Sequence, residues 1–313
     1  MDINFEYYKI FYFVARYGSI TKAAAAMGSN QPNVTRVMKL LEAQLGCRLF
    51  VREARGVSLT EEGERLFSHV EIAYKHLQNA QEELCEPDSH SGGTVEIGAT
   101  ETALHLFLIG ALRGFKLEYP AVRIKIHNHT TPETIKQLTG GKLDFAVITT
   151  PFEVSKSCSC VNVLDFEEIL VGGTRYRDLC RTPLEPKEIR GVPWVGLGRG
   201  SATYRLYKDF FLAQGMDLEP DMEVATSDLM LPLIGSNLGI GFVPKDVAAP
   251  FLEKGELVQI PLCCASPRRS IRIVADKGRG KSLAADAFYK YLGAYCTFDS
   301  NMFIMMDRKE CEA

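Results

Sequence analysis

Asn30-Gln31-Pro32-Asn33-Val34-Thr35-Arg36-Val37-Met38-Lys39-Leu40-Leu41-Glu42-Ala43-Gln44-Leu45-Gly46 is the stretch from which the rest of the chain is read. Asn30 is a strong helix N-cap, because its side-chain oxygen accepts from an unpaired amide of the first turn. Pro32 suits that turn, where its missing N–H is no loss. Val34, Met38, Leu41 and Leu45 line one face of a helix that Gly46 ends. The opposite face carries Gln31, Asn33, Thr35, Arg36 and Lys39. Gln and Asn pair bidentately with adenine, Arg pairs with guanine, and Thr meets a thymine methyl or a phosphate. A merely solvated polar face is the competing reading.

Working outward, Phe5, Tyr8, Tyr12 and Ala15, with Phe11 and Val14 beside them, form an amphipathic helix ended by Gly18-Ser19. An Ala-rich helix spans about Ile20 to Met27, and Gly28-Ser29 turns the chain. Two short helices across a tight Gly turn are a helix-turn-helix, and the second helix uses its N-terminal turns on base edges. Downstream, Arg48–Arg52 alternates like a strand, Ala54-Arg55-Gly56 turns, and Val57-Ser58-Leu59 returns. This wing puts Arg52 and Arg55 near its tip, within reach of phosphate or a minor groove. With Thr21 and Pro32, the residues Gln31, Asn33, Thr35, Arg36, Lys39, Arg52 and Arg55 make the candidate DNA-contacting set.

Net charge is −3, which taken as an average argues against a nucleic-acid binder. The average conceals a pattern. Residues 1–60 hold eight basic against four acidic side chains, and residues 61–90 hold two against eight. A basic head followed by an acidic connector and a near-neutral body implies separate jobs. The 313 residues suggest two domains, and 46% hydrophobic residues suffice for real cores. No apolar run approaches the roughly 18 residues of a membrane span. Met1–Ile10 lacks the pattern of a signal peptide. Nine cysteines without a CxxC suggest reduced thiols in a cytoplasmic protein, with no metal site. Six scattered His and the lack of GxSxG, HExxH or P-loop motifs argue against an enzyme, and no cofactor is expected.

Four runs in order and spacing carry a family resemblance: Gly18-Ser19-Ile20-Thr21-Lys22-Ala23-Ala24, Asn30-Gln31-Pro32-Asn33-Val34-Thr35-Arg36, Leu41-Glu42-Ala43-Gln44-Leu45-Gly46-Cys47-Arg48-Leu49-Phe50, and Leu59-Thr60-Glu61-Glu62-Gly63. Together they resemble the LysR-type transcriptional regulators, and the likeness in layout extends over the whole chain. The resemblance implies a dimeric or tetrameric bacterial regulator that binds double-stranded DNA and responds to a small ligand. Asn30 and Thr35 stand where that family usually has Ser, and Asn33 where it often has Ala or Ser. These departures bear on the operator sequence rather than on DNA binding.

Thr60 caps a long helix whose first turn holds Glu61, Glu62 and Glu64. Leu66, Val70, Ala73, Leu77, Ala80 and Leu84 then follow heptad steps, a seam for self-pairing as a homodimer. A helix packed on its own domain is the alternative. In the family the same segment is the dimerising linker helix. The expected layout is an all-α winged helix-turn-helix head at 1–59, a linker helix at 60–87 and a hinge at 88–93. A C-terminal α/β effector domain of two lobes follows, resembling a periplasmic binding protein. Its first lobe takes 94–162 and 266–313, and its second takes 163–265. Strands and helices alternate through both. The tail from Thr297, with Met302-Phe303-Ile304-Met305-Met306, supports no choice between lobe and partner contacts.

Ligands of α/β sheets sit beyond the strand C-termini, at helix N-termini. Four segments qualify: Ala99–Thr102, His129–Thr131, Gly198–Ser201 and Thr226-Ser227. By resemblance, Thr100, Thr102, Thr130 and Ser201 match effector-binding positions. Each hydroxyl has a competing role as a plain helix cap. Arg199 is a candidate to pair a carboxylate bidentately. Glu101 repels an anion, so it either points away or favours a ligand with an amine or a hydroxyl. Thr226 joins the effector set, and Phe242 either lines the pocket or sits in the core. The expected effector is a small organic acid or amino acid. Two other readings remain: a binding protein without regulatory DNA binding, and a cysteine-based redox regulator with Cys158/Cys160 as its best pair.

Overall fold

The computed structural model describes residues 3–53, 56–85, 92–278 and 280–309. The chain divides into two compact units, Met1–Asp88 and Ser89–Ala313. The first unit runs α1 (Phe5–Tyr17), α2 (Ile20–Ala26), α3 (Gln31–Leu45), β1 (Phe50–Glu53), β2 (Gly56–Leu59) and α4 (Glu61–Cys85). Its starts and stops are local chemistry. Asn4, Ser19 and Asn30 cap the first three helices through their side-chain oxygens, and Asn30 accepts from the Asn33 amide at 2.9 Å. Phe11, Val14, Val34 and Leu41 are fully buried at the centre of the unit.

The wing is pinned from two sides. The Val57 amide donates to the Gly18 carbonyl at 2.9 Å. The Leu49 and Phe50 amides donate to one oxygen of Glu42, at 2.8 and 3.2 Å. Thr60 closes the entrance to α4: its hydroxyl accepts from the Gly63 amide at 3.0 Å and donates to the Arg48 carbonyl at 2.7 Å. Gly63 itself is buried, and a Cβ there would stand 2.2 Å from the Leu49 carbonyl oxygen. The run Leu59–Gly63 therefore needs glycine at its end for close approach, not for turning.

The heptad seam of α4 does not serve one purpose. Leu66 and Val70 face the unit's own core, with Phe67 and Tyr74. Phe67 stacks on Tyr12 at 5.9 Å between ring centres, and Tyr74 lies 4.5 Å from the same ring. Leu66 and Val70 are thus corrected from partner contacts to core residues. Four-three spacing brings side chains to one helix face whatever covers it, and here α1 covers the first turns. Ala73 is exposed and Leu77 is 46% exposed. The side chains of Ala80 and Leu84, and hinge residues 88–91, lie outside the described residues.

In the second unit, β3 (Thr94–Ala99) pairs in parallel with β4 (Arg123–Asn128) on one side and β5 (Phe145–Thr149) on the other. The helix after β3 begins as α5 (Glu101–Ala103), passes through a π-helical segment Leu104–Leu108 and continues as α6 (Ile109–Glu118). The π-helical turn inside this helix is not visible in the hydrophobic spacing. α7 (Thr131–Thr139) follows β4, ending at Gly140. β6 is a single strand of 16 residues, Cys158–Gly173. It pairs with β11 (Arg268–Asp276) as far as Glu167, and with β9 (Ile240–Pro244) from Glu168 onward. The lobes therefore change over at residues 167 and 168, five residues later than the sequence suggests. No Gly or Pro interrupts Cys158–Val171, so nothing in the strand marks the crossing.

The second lobe adds β7 (Val195–Leu197), α8 (Ala202–Ala213), β8 (Met222–Val224), α9 (Met230–Gly235), α10 (Lys245–Glu253) and β10 (Leu257–Gln259). β7 and β8 are parallel, and β10 pairs antiparallel with β6. The chain leaves the first lobe along β6 and returns along β11. It then ends in α11 (Leu283–Lys309), whose Phe288 packs edge-on against Phe115 of α6 at 4.9 Å. α10 was not anticipated: Pro250 lies inside it and breaks the sequence signal of a helix.

Candidate functional site

A cavity of about 300 Å³ lies between the two lobes of the second unit. Every wall is a segment that follows the C-terminal end of a parallel strand. Thr100, Glu101 and Thr102 follow β3; Asn128 ends β4, with His129 to Thr131 after it; Thr149 ends β5. From the other lobe come Leu197, which ends β7, Ser201–Thr203 after it, and Ala225–Ser227 after β8. The four expected segments thus meet at one place, and Glu133 joins them from the first turn of α7.

Capping separates the hydroxyls. Ser201 is a true N-cap, accepting from the Tyr204 amide at 3.0 Å. Thr100, Thr130 and Thr226 stand at N-cap positions but make no side-chain cap bond. The Thr100 Oγ1 is buried without any hydrogen-bond partner. An unpaired buried hydroxyl costs about 1–3 kcal/mol, so its persistence needs a reason. Glu101 does not point away: it lines the cavity, its side chain is 16% exposed, and both its oxygens are occupied. His105 meets one at 3.0 Å and Asn128 donates to the other. Across the cavity, Gln137 donates to Glu133 at 3.2 Å and to His129 Nε2 at 3.1 Å.

In the first unit, the polar face of α3 is presented as the sequence implied. Gln31, Pro32, Arg36 and Lys39 are exposed, and Asn33 and Thr35 are half-buried. These side chains are partly engaged with one another. Arg36 donates to Asn33 at 3.2 Å, Asn33 donates to Ser29 at 3.4 Å, and the Thr35 hydroxyl donates to the Gln31 carbonyl at 2.9 Å. Thr35 therefore presents its methyl rather than its hydrogen. Thr21 and Arg52 are exposed, and Arg55 lies outside the described residues.

Residues 5–64 match the family described as bacterial regulatory helix-turn-helix protein, lysR family, and residues 88–297 match the LysR substrate binding domain. The chain belongs to the LysR family of DNA-binding transcription regulators. A probable RuBisCO transcriptional regulator of Trichormus variabilis is 24% identical over 311 residues, covering 97% of this chain and 92% of that one. Full-length CbnR complexed with its target DNA is similar in fold, with a TM-score of 0.67 at 19% identity over 93% of this chain and 99% of that one. LysG from Corynebacterium glutamicum with bound effector Arg has a TM-score of 0.66 at 16% identity, over 94% and 98%.

In this LysR-family chain two expected effector residues are elsewhere. Arg199 is outside the cavity wall: its side chain is 73% exposed and pairs with Glu219 at 3.3 Å. Glu219 also accepts from Tyr204 at 2.6 Å and from Lys208, so a surface cluster competes for the guanidinium. Phe242 is 2% exposed, with Tyr207, Phe210, Trp194 and Phe211 ringed around it at 5.0–5.9 Å. β9 is buried on both faces, so Phe242 had no route to the cavity.

Asn128, Glu133, Thr149, Leu197, Thr203 and Ala225 line the cavity without having been singled out. Their common signal was position just past a strand end or in a helix first turn. Thr149 leads to a buried network. Its hydroxyl accepts from Arg269 Nη2 at 2.7 Å, and Arg269 pairs with Glu168 at 2.9 Å. The two charged side chains are 3% and 1% exposed, at the point where β6 changes lobes. Burial, then the nearby Glu168 charge, push the Tyr207 phenol well above its ordinary value. Cys47, Cys158, Cys160, Cys180, Cys263 and Cys264 are free thiols. No helix among the described residues is long and apolar enough to cross a membrane.

Proposed function

We infer that this regulator reads DNA with the first turns of α3 and senses a small organic acid or amino acid in the interlobe cavity. Gln31, Asn33 and Arg36 contact base edges, while Thr21, Pro32, Thr35, Lys39 and the wing arginines Arg52 and Arg55 position the phosphate backbone. Thr100, Glu101, Thr102, Thr130, Ser201 and Thr226 contact the effector. The protein works in the cytoplasm as a homodimer or homotetramer, pairing along α4, where Ala73 and Leu77 are exposed. The single observation that carries the effector reading is the orphaned Thr100 hydroxyl, buried at the wall where segments of both lobes meet. A ligand oxygen or nitrogen would satisfy it.

The DNA reading is tested by selecting sites from a randomised duplex pool and measuring anisotropy on the enriched sequence. Each bidentate base contact discriminates by about 1–3 kcal/mol. The Gln31→Ala/Arg36→Ala protein is expected to lose roughly 100-fold in specific affinity, with non-specific affinity falling much less. Unchanged site preference in the double variant would remove these residues from the base-reading role. Absence of any enriched site would favour a binding protein without regulatory DNA binding.

A further inference from the structure

The cavity has an unusual charge balance for an acid-binding site. Two carboxylates line it, Glu101 and Glu133, and no lysine or arginine does among the described residues. A plain carboxylate entering there meets like charge and no lysine or arginine among the described residues. The opposite charge is supplied by backbone. The first turns of α7 and α8, helices of 9 and 12 residues, open onto the cavity through Thr131 and through Ala202 and Thr203. First-turn amides have no partner within their helix and carry partial positive charge. A bare amine would leave those amides unanswered.

We propose that the effector is a zwitterion, a small α-amino acid, whose carboxylate is held by the Thr100 hydroxyl and the α8 amides and whose ammonium is held at Glu133. This deepens the effector reading given above and rests on it. Glu133 is the better ammonium partner of the two acids. Glu101 has both oxygens committed, to His105 and Asn128, whereas Gln137 occupies only Oε1 of Glu133. The walls also select the ligand's side chain. Leu197, Ala202 and Ala225 are the apolar lining residues, hydroxyls dominate the remainder, and no Phe, Tyr or Trp is present among the described residues. A volume of about 300 Å³ is at the small end of ligand sites and suits a small molecule.

The test uses the full chain in thermal-shift and calorimetric titrations. The probes are the proteinogenic L-α-amino acids, the matching carboxylic acids without the amine, and the matching primary amines without the carboxylate. At a concentration about 100 times its Kd, one amino acid is expected to raise the Tm by several degrees. Its two truncated analogues are expected to bind at least about 100-fold more weakly. Glu133→Gln is expected to weaken the amino acid by about tenfold or more, and Thr100→Val by a similar factor. A carboxylic acid that binds as tightly as its amino acid, with Glu133→Gln indifferent, would overturn the zwitterion. The cavity would still stand in that case if Thr100→Val abolished binding. Amino-acid binding that survives both substitutions would overturn the cavity as well. Failure of every amino acid to bind would overturn the ligand class.

Discussion

The α3 face and the interlobe cavity are both polar, yet they are built on opposite plans. On α3 the functional side chains come from one nine-residue stretch, Gln31–Lys39, and are largely exposed. Their hydrogen bonds connect residues three and four apart, such as Arg36 to Asn33 and Thr35 to Gln31. The cavity gathers segments near residues 100, 130, 149, 201 and 226, and its polar residues range from buried (Thr102, Thr131, Thr149 and Ser201) to exposed (Asn128, Thr130 and Thr226). A surface helix face keeps its polar groups hydrated until a partner displaces water. A buried cavity must satisfy its groups internally or leave them for a ligand, and Thr100 is left.

If that contrast is right, the largest damage should come from breaking a long-range buried contact. Arg269→Ala leaves Glu168 charged and buried, with one oxygen already unpartnered. We expect a loss of about 3–5 kcal/mol in urea unfolding of the effector unit. The paired apolar replacement Arg269→Met/Glu168→Leu should recover most of it, because the desolvation cost of both charges disappears. A small effect of Arg269→Ala alone would show that the crossover strands tolerate an unpaired charge.

A smaller effect is expected from the tightest local approach in the head. Gly63→Ala places a methyl against the Leu49 carbonyl oxygen, a backbone atom that cannot swing aside. Overpacking of this kind costs about 1–3 kcal/mol, read as a lower Cm of the head and lost DNA binding. Retention of full head stability would mean that α4 can shift along β1 without loss.

The smallest effect belongs to the surface cluster that holds Arg199. Hydrogen bonds from Lys208, then from Tyr204, hold the Glu219 carboxyl at about 2 against an ordinary 4.5. A depressed carboxyl stabilises the fold above its ordinary value and loses that contribution as pH falls toward its folded value. Glu219→Gln should therefore flatten the Tm-against-pH curve between about pH 4.5 and pH 2, and change it little at neutral pH. The shift should be only about a degree, since the pair is solvent-screened. An equal change at pH 7 would assign the effect to packing rather than charge.

The same contrast explains what was readable. The cap at Asn30, the Gly46 stop and the burial of Val34, Met38 and Leu41 follow from residues within one or two helical turns. The four cavity segments were found because strand ends and helix starts mark themselves locally. Arg199 was misplaced, and Phe242 left open between pocket and core, because a side chain's direction depends on competitors far along the chain: Glu219 for one, the aromatic ring around β9 for the other. Leu66 and Val70 were misassigned because heptad spacing names a buried face without naming what buries it.

By itself the amino-acid sequence determined the helix-turn-helix with its wing, the helical connector, the alternation of strands and helices, and the family to which these belong. Periodicity, capping and turn chemistry act over a few residues, so their record is written within those residues. Only the tertiary structure decided that Thr149 rests on Arg269, 120 residues away, that Glu101 and Glu133 share one cavity without a lysine or arginine among the described residues, and that Thr100 ends there unpaired. Those outcomes depend on which strand ends are brought side by side, and strand pairing carries chain segments together regardless of their separation in sequence.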